Sequence, residues 1–281
     1  MRIVTIVSYP RTGSSLLLRL IRPLDVCALL EIFHPLESVA RQHIADKFYG
    51  NTFHEVAANY DRNEVIADLD GFLNTILYAG RRLNSQIITF KIFPGHLDSD
   101  SLGQLLERSS AVLFHSRNKL HSYISDLIAT DIQCWSTRNT SDIYPEFDEV
   151  SFLSYLKMTH GYLSNAYSLA TDRRVPMLFS SYEDLRSLDN MSQQFYLAKI
   201  FSRVLGQDLS PLSKPINLPV QQDQRSMATE KTSNSKSLEK FLQNHNAEEL
   251  NWQGNDISHS KYQMLILGIE DSLKNPYLRA H

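Results

Sequence analysis

Residues 2–21 read R-I-V-T-I-V-S-Y-P-R-T-G-S-S-L-L-L-R-L-I. The first seven are rich in β-branched residues and have no helical period, which predicts a buried strand over 2–8. Y-P-R-T-G-S-S reads as a turn. L-L-L-R-L-I then opens a core helix that Pro23 ends. A strand that feeds a helix through such a turn favours an anion. The helix start leaves backbone N–H groups unpaired, with the positive end of the helix dipole behind them. Gly13 lets the backbone approach a ligand closely. Thr12, Ser14 and Ser15 add hydroxyls, and Arg11 adds a forked cation suited to phosphate or sulfate. A plain N-cap by Ser14 or Ser15 is the competing reading. No Gly-Lys-Ser/Thr occurs in the chain, so this is not a Walker A loop. The usual equipment of ATP- or GTP-driven phosphoryl transfer is therefore missing.

The pattern continues outward. Residues 25–33 read as a second short strand. Residues 36–48 and 64–82 have helical spacing, the second with Val65, Leu69, Phe72, Leu73, Ile76 and Leu77 on one face. Strands are expected at 86–93, 110–116 and 175–181. Helices are expected at 99–109, from 117 to about 134, at 150–171 and at 191–205. Residues 207–237, with Pro211, Pro215 and Pro219, read as a long functional loop or a disordered linker. Two further helices are expected near 236–250 and 258–273. Strands alternating with helices imply an α/β fold with a mainly parallel sheet, and no domain boundary is evident over 1–281.

The 281 residues carry 28 Lys and Arg against 31 Asp and Glu, a net charge of −3. That balance lacks the basic footprint of a general nucleic-acid binder. The two cysteines, Cys27 and Cys134, are too few for a disulfide framework, and no Cys/His zinc set occurs. The apolar start is too short for a signal segment, and no apolar run approaches the ~18 residues of a spanning helix. A cytoplasmic chain is expected, so the N-x-[ST] matches at Asn139 and Asn190 read as chance. Asp68-Leu69-Asp70-Gly71 lacks the remaining ligands of a calcium loop. Asp98-Ser99-Asp100 is better explained as an N-cap than as a metal motif. Trp135 and Trp252 suit either a core or a pocket.

Y-P-R-T-G-S-S-L-L resembles the 5′-phosphosulfate loop of sulfotransferases that use 3′-phosphoadenosine 5′-phosphosulfate (PAPS). A second element supports the resemblance. In V-L-F-H-S-R-N-K-L-H-S-Y-I-S, Arg117 ends a predicted strand and Ser125 follows eight residues later. That is similar to the pair with which the family holds the 3′-phosphate. An ordinary surface arginine at a helix start is the alternative. I-I-T-F-K-I-F-P-G-H-L and M-L-F-S-S-Y-E-D-L are also similar to family segments. In T-E-K-T-S-N-S-K-S-L, Lys231 matches a nucleotide-covering loop more weakly, because Thr232 stands where Gln is common.

The resemblance implies a P-loop-type (nucleotide-kinase-like) parallel β-sheet flanked by helices. It implies PAPS as donor, 3′,5′-ADP as product and no metal. The acceptor it implies is a hydroxyl of a carbohydrate, glycolipid or small metabolite. Arg11, Thr12, Gly13, Ser14 and Ser15 would hold the phosphosulfate, with Arg11 also stabilising the leaving oxygen. Arg117, Ser125 and Lys231 would hold the nucleotide. Nucleic acid and an integral membrane segment are not expected, and a homodimer is left open.

Sulfuryl transfer also needs a base. A-L-L-E-I-F-H-P offers Glu31 first and His34 second, and Glu31 matches the catalytic Glu of bacterial and carbohydrate sulfotransferases. A strand-end carboxylate paired to a nearby cation and a plain turn histidine are the competing readings. Lys91 and His96 are a further pair that could meet the sulfuryl group or the acceptor, although Lys91 could equally be solvated. Two other functions stay open. One is a non-catalytic nucleotide-binding protein of the same fold, and the other is a small-molecule kinase without a Walker A.

Overall fold

The computed structural model describes residues 1–24, 26–132, 140–206, 209 and 227–244. Cys134, Trp135, Asn139, Trp252, most of 207–226 and the helix expected at 258–273 lie outside the described residues. The strands are β1 (Arg2–Val7), β2 (Val26–Ala28), β3 (Ile87–Ile92), β4 (Ala111–Ser116) and β5 (Met177–Ser181). The helices are α1 (Ser14–Ile21), α2 (Glu37–Ile44), α3 (His54–Ala58), α4 (Arg62–Ala67), α5 (Leu69–Arg81) and α6 (Ser99–Arg108). After them come α7 (Lys119–Asp131), α8 (Glu149–Asp172), α9 (Tyr182–Ser187), α10 (Asn190–Leu205) and α11 (Ser235–Asn244).

The fold is the expected α/β, an all-parallel sheet flanked by helices, in the order β2-β3-β1-β4-β5. β1 pairs with β3 from Arg2↔Ile87 to Val7↔Ile92, and with β4 from Val4↔Ala111 to Val7↔Phe114. β3 and β4 are buried along their whole length, as both faces of a parallel sheet require. From β1 the chain runs to β2 on one side of the sheet; from β4 it runs to β5 on the other. The carboxyl ends of β1 and β4 are therefore a topological switch point, where open α/β sheets bind ligands. The Ser8 hydroxyl ties these ends together by donating to the His115 carbonyl at 2.7 Å. Y-P-R-T-G-S-S and R-N-K begin at these two ends.

Two sequence expectations need correction. The strand expected over 25–33 is only Val26–Ala28. Leu29 N–H still donates to Thr89 O at 2.8 Å, and Lys91 N–H donates to Leu30 O at 3.2 Å. The chain then turns, with His34 N–H on Glu31 O at 3.0 Å, so Glu31 heads a turn and does not lie on a strand. The helix expected over 64–82 is two helices, α4 and α5. Asp68 leaves helical geometry (φ −131°, ψ 67°) and its carboxylate accepts Gly71 N–H. The D-L-D-G stretch is thus a capped helix start. Asp98 caps α6 in the same way, as the sequence suggested.

Among the described residues the chain forms two compact units. One holds the described residues of 1–9, 14–115 and 165–216; the other holds those of 10–13, 116–164 and 217–281. The first is built on the sheet, with Leu69, Leu73 and Ile76 of α5 fully packed in its core. Its Cys27 is buried, and burial pushes the thiol up to about 12, so it is not a nucleophile.

The second unit has an aromatic core. Phe152 lies 5.1 Å from Tyr123 and 5.8 Å from both Phe147 and Phe241, ring centre to ring centre. The Asn234 amide accepts Phe147 N–H at 2.8 Å and donates to Phe147 O at 2.9 Å, a side-chain substitute for a ladder pair. Phe152→Ala is expected to lower stability by about 3–5 kcal/mol, because the emptied volume cannot be refilled by rigid neighbouring rings. Denaturant unfolding followed by near-UV circular dichroism would check this; an unchanged midpoint would remove Phe152 from the core.

Among the described residues no helix is long and apolar enough to cross a membrane.

Candidate active site

Two groups of candidate residues form, one in each unit. In the first unit the turn after β2 brings Glu31 against the end of β3. Lys91 Nζ lies 2.9 Å from Glu31 Oε1 and donates to Ser15 Oγ at 3.0 Å. A single ammonium thus joins the candidate base to a hydroxyl at the N-terminus of α1. Lys91 is 4% exposed, so the solvated-lysine reading fails. Its Nζ also stands 5.0 Å from the centre of the Phe93 ring.

His96 Nε2 lies 3.7 Å from Glu31 Oε2, and the His34 ring centre is 5.7 Å from that of His96. The two candidate bases and the Lys91–His96 pair are therefore one cluster. Burial would raise the Glu31 pKa, but the charge and hydrogen bond of Lys91, with help from His96 and His43, outweigh it. The carboxyl is held below its ordinary value and stays ionised at neutral pH. Burial drives His96 the other way, down to about 4, and Glu31 only partly offsets this. His96 is neutral at pH 7.

Sequence reasoning missed two members of this group. His43 of α2 accepts Glu31 N–H at its Nδ1, 3.3 Å away. Arg62, at the start of α4, donates to Phe33 O at 2.8 Å, His34 O at 3.4 Å and His96 O at 2.6 Å. One guanidinium thus holds both the Glu31–His34 turn and the Phe93–His96 turn. Its partners are backbone carbonyls, which leave no side-chain signature in a sequence. His43 lies twelve residues from Glu31 with no motif linking them.

In the second unit Arg11, Arg117 and Ser125 meet. Arg117 Nη1 donates to Arg11 O at 3.0 Å, and Arg11 Nε donates to Ser125 Oγ at 3.1 Å. Arg11 has φ +64° and Gly13 φ +80°. A left-handed arginine is a strained backbone, kept only where its surroundings over-determine it. Here Arg117 Nη1 on its carbonyl and the Ser125 hydroxyl on its side chain do so.

Asp126 follows Ser125 on α7. Burial raises its pKa, and the charge of Arg11 offsets part of that. Asn118 caps α7 by accepting His121 N–H at 3.1 Å, which starts the helix directly after Arg117. Thr12 is buried. Lys231, also buried, ends a short 3₁₀ turn, Thr229–Lys231, that precedes α11.

Among the described residues no group of three or more His, Cys, Asp or Glu could hold a metal ion.

No family model matches this chain, and no curated protein matches it. Solved structures do. The chain is similar to the sulfotransferase domain of the Synechococcus PCC 7002 olefin synthase at 14% identity and TM-score 0.39, over 90% of this chain and 84% of that one. It is also similar to retinol dehydratase in complex with retinol and PAP at 15% identity and TM-score 0.34, over 75% of this chain and 62% of that one.

Proposed function

We propose that this chain is a PAPS-dependent sulfotransferase, a single functional domain that transfers the sulfuryl group to a hydroxyl of a carbohydrate, glycolipid or small metabolite. The observation that carries the reading is the Lys91 bridge from Glu31 to Ser15. It links a carboxylate base to the loop whose hydroxyls and amides suit a sulfated phosphate. Arg11 and Thr12 to Ser15 hold the phosphosulfate, with Gly13 and Ser14 joined by a peptide bond. Arg117, Ser125 and Lys231 hold the 3′-phosphate. The Arg11–Ser125 hydrogen bond supports a compact ligand with its two phosphates close together.

In the reaction, the acceptor O–H gives its proton to Glu31 while the acceptor oxygen bonds to sulfur. The bond from sulfur to the bridging phosphate oxygen breaks in line, and 3′,5′-ADP leaves. Lys91 and Arg11 stabilise the charge that grows on that oxygen.

Titration calorimetry should show heat with 3′,5′-ADP and none with Mg-ATP. Binding of ATP without 3′,5′-ADP would sink the proposal and favour a kinase. Tight 3′,5′-ADP binding without turnover on any hydroxyl would favour a binding module.

A further inference from the structure

His96 and His43 face Glu31, His34 stacks edge-on against His96, and a backbone N–H occupies Nδ1 of each. Phe93 N–H donates to His96 Nδ1 at 3.3 Å, Glu31 N–H to His43 Nδ1 at 3.3 Å, and Leu36 N–H to His34 Nδ1 at 3.1 Å. A neutral imidazole has one N–H and one bare nitrogen. A nitrogen that accepts an amide proton must be the bare one, so the imidazole proton sits on Nε2. For His96 that is the nitrogen turned toward Glu31 Oε2.

We infer that His96 is a positioning residue that donates its Nε2 proton toward Glu31, leaving the Glu31 carboxylate as the group that takes the acceptor proton. This rests on the transfer reading above and deepens it. A neutral His96 in this tautomer has no lone pair free to serve as a base. The burial of His96 keeps it neutral, in agreement. The 3.7 Å separation is longer than a closed hydrogen bond. Such contacts are commonly long before the substrate arrives and tighten with it. Arg62 makes the arrangement rigid, since it pins the carbonyls of Phe33, His34 and His96 with one planar fork. Lys91 takes Oε1, so the two carboxylate oxygens have different donors. The Glu31 carboxylate is thereby oriented at both oxygens, and neither donor competes with it for the acceptor proton.

Long-range ¹H–¹⁵N NMR of the full chain at neutral pH reads the tautomer directly. The expected spectrum has His96 protonated at Nε2 and bare at Nδ1. A proton on Nδ1 overturns the inference. The measurement does not depend on sulfuryl transfer. If 3′,5′-ADP fails to bind but Nε2 carries the proton, the proposed function falls and the tautomer assignment stands.

Kinetics supply the second arm. His96→Gln keeps a donor near the Nε2 position and should stay within about tenfold of the parent kcat. His96→Ala should lose about ten- to a hundredfold in kcat, the range typical of groups that orient a reacting residue, with acceptor KM little changed. If His96→Gln is as inactive as Glu31→Gln while 3′,5′-ADP still binds, the proton goes to His96 and the inference fails.

Discussion

Glu31→Gln is expected to lower kcat by about 10²–10⁴ while 3′,5′-ADP affinity is retained. Gln keeps the shape and a hydrogen-bonding oxygen near Lys91 but cannot accept a proton. The nucleotide residues Arg117 and Ser125 belong to the other compact unit, so binding should survive. The pH profile gives an independent readout. Glu31 has its folded pKa lowered, with Lys91 outweighing burial. A depressed carboxyl stabilises the fold above its ordinary pKa, and that contribution is lost as pH falls through the lowered value. The acid limb of kcat should therefore lie below the ordinary carboxylate range, and stability should begin to fall in the same window. An active Glu31→Gln enzyme with an unshifted profile would transfer the role to His34.

Arg117→Ala is expected to weaken 3′,5′-ADP binding by about 1.5–3 kcal/mol, roughly ten- to a hundredfold, the worth of hydrogen bonds to a charged group. A second effect adds to the first. Arg117 Nη1 also holds the carbonyl of left-handed Arg11, so its loss releases a strained turn that presents another cation. Arg117→Lys should rescue little, because an ammonium cannot reproduce the planar fork. Calorimetry with 3′,5′-ADP beside 5′-AMP would read the effect. The loss should be larger for the first ligand than for the second, which has no 3′-phosphate and feels only the released Arg11 turn. Equal losses for both would detach Arg117 from the 3′-phosphate and move it to a general structural role.

Much of the fold was legible because its signals are local. The β-branched run of Arg2–Val7, the burial of β3 and β4, and the strand–helix alternation all follow from short-range pattern. The break at Asp68 was present in the letters D-L-D-G, but helical periodicity runs straight across a capped interruption and hides it. β2 shrank to three residues because apolar residues after Ala28 can be buried in a turn as well as in a strand, and composition does not separate the two.

The candidate site divides along the same line. Arg117 and Ser125 stand eight residues apart, a spacing the sequence displays openly. Tyr9–Ser15 is a contiguous motif, and its chemistry could be read from residue types alone. The pairing of Glu31 with Lys91 and His96 spans sixty residues or more. It depends on Leu29 and Leu30 bonding to Thr89 and Lys91 across the sheet. Sequence left Lys91 either buried or solvated, and left Glu31 either a base or a paired carboxylate. The structure makes Lys91 buried and Glu31 paired, and pairing is what keeps Glu31 ionised.

The sequence by itself determined the α/β class, the anion-suited loop after β1 and the Arg117–Ser125 spacing, because each is set by neighbours within a few turns of chain. Only the tertiary structure decided which nitrogen of His34, His43 and His96 is bare, that Arg62 clamps two distant turns, and that Arg11 turns its guanidinium to Ser125. Those facts rest on hydrogen bonds between residues far apart in the chain, or to backbone atoms that every residue carries alike.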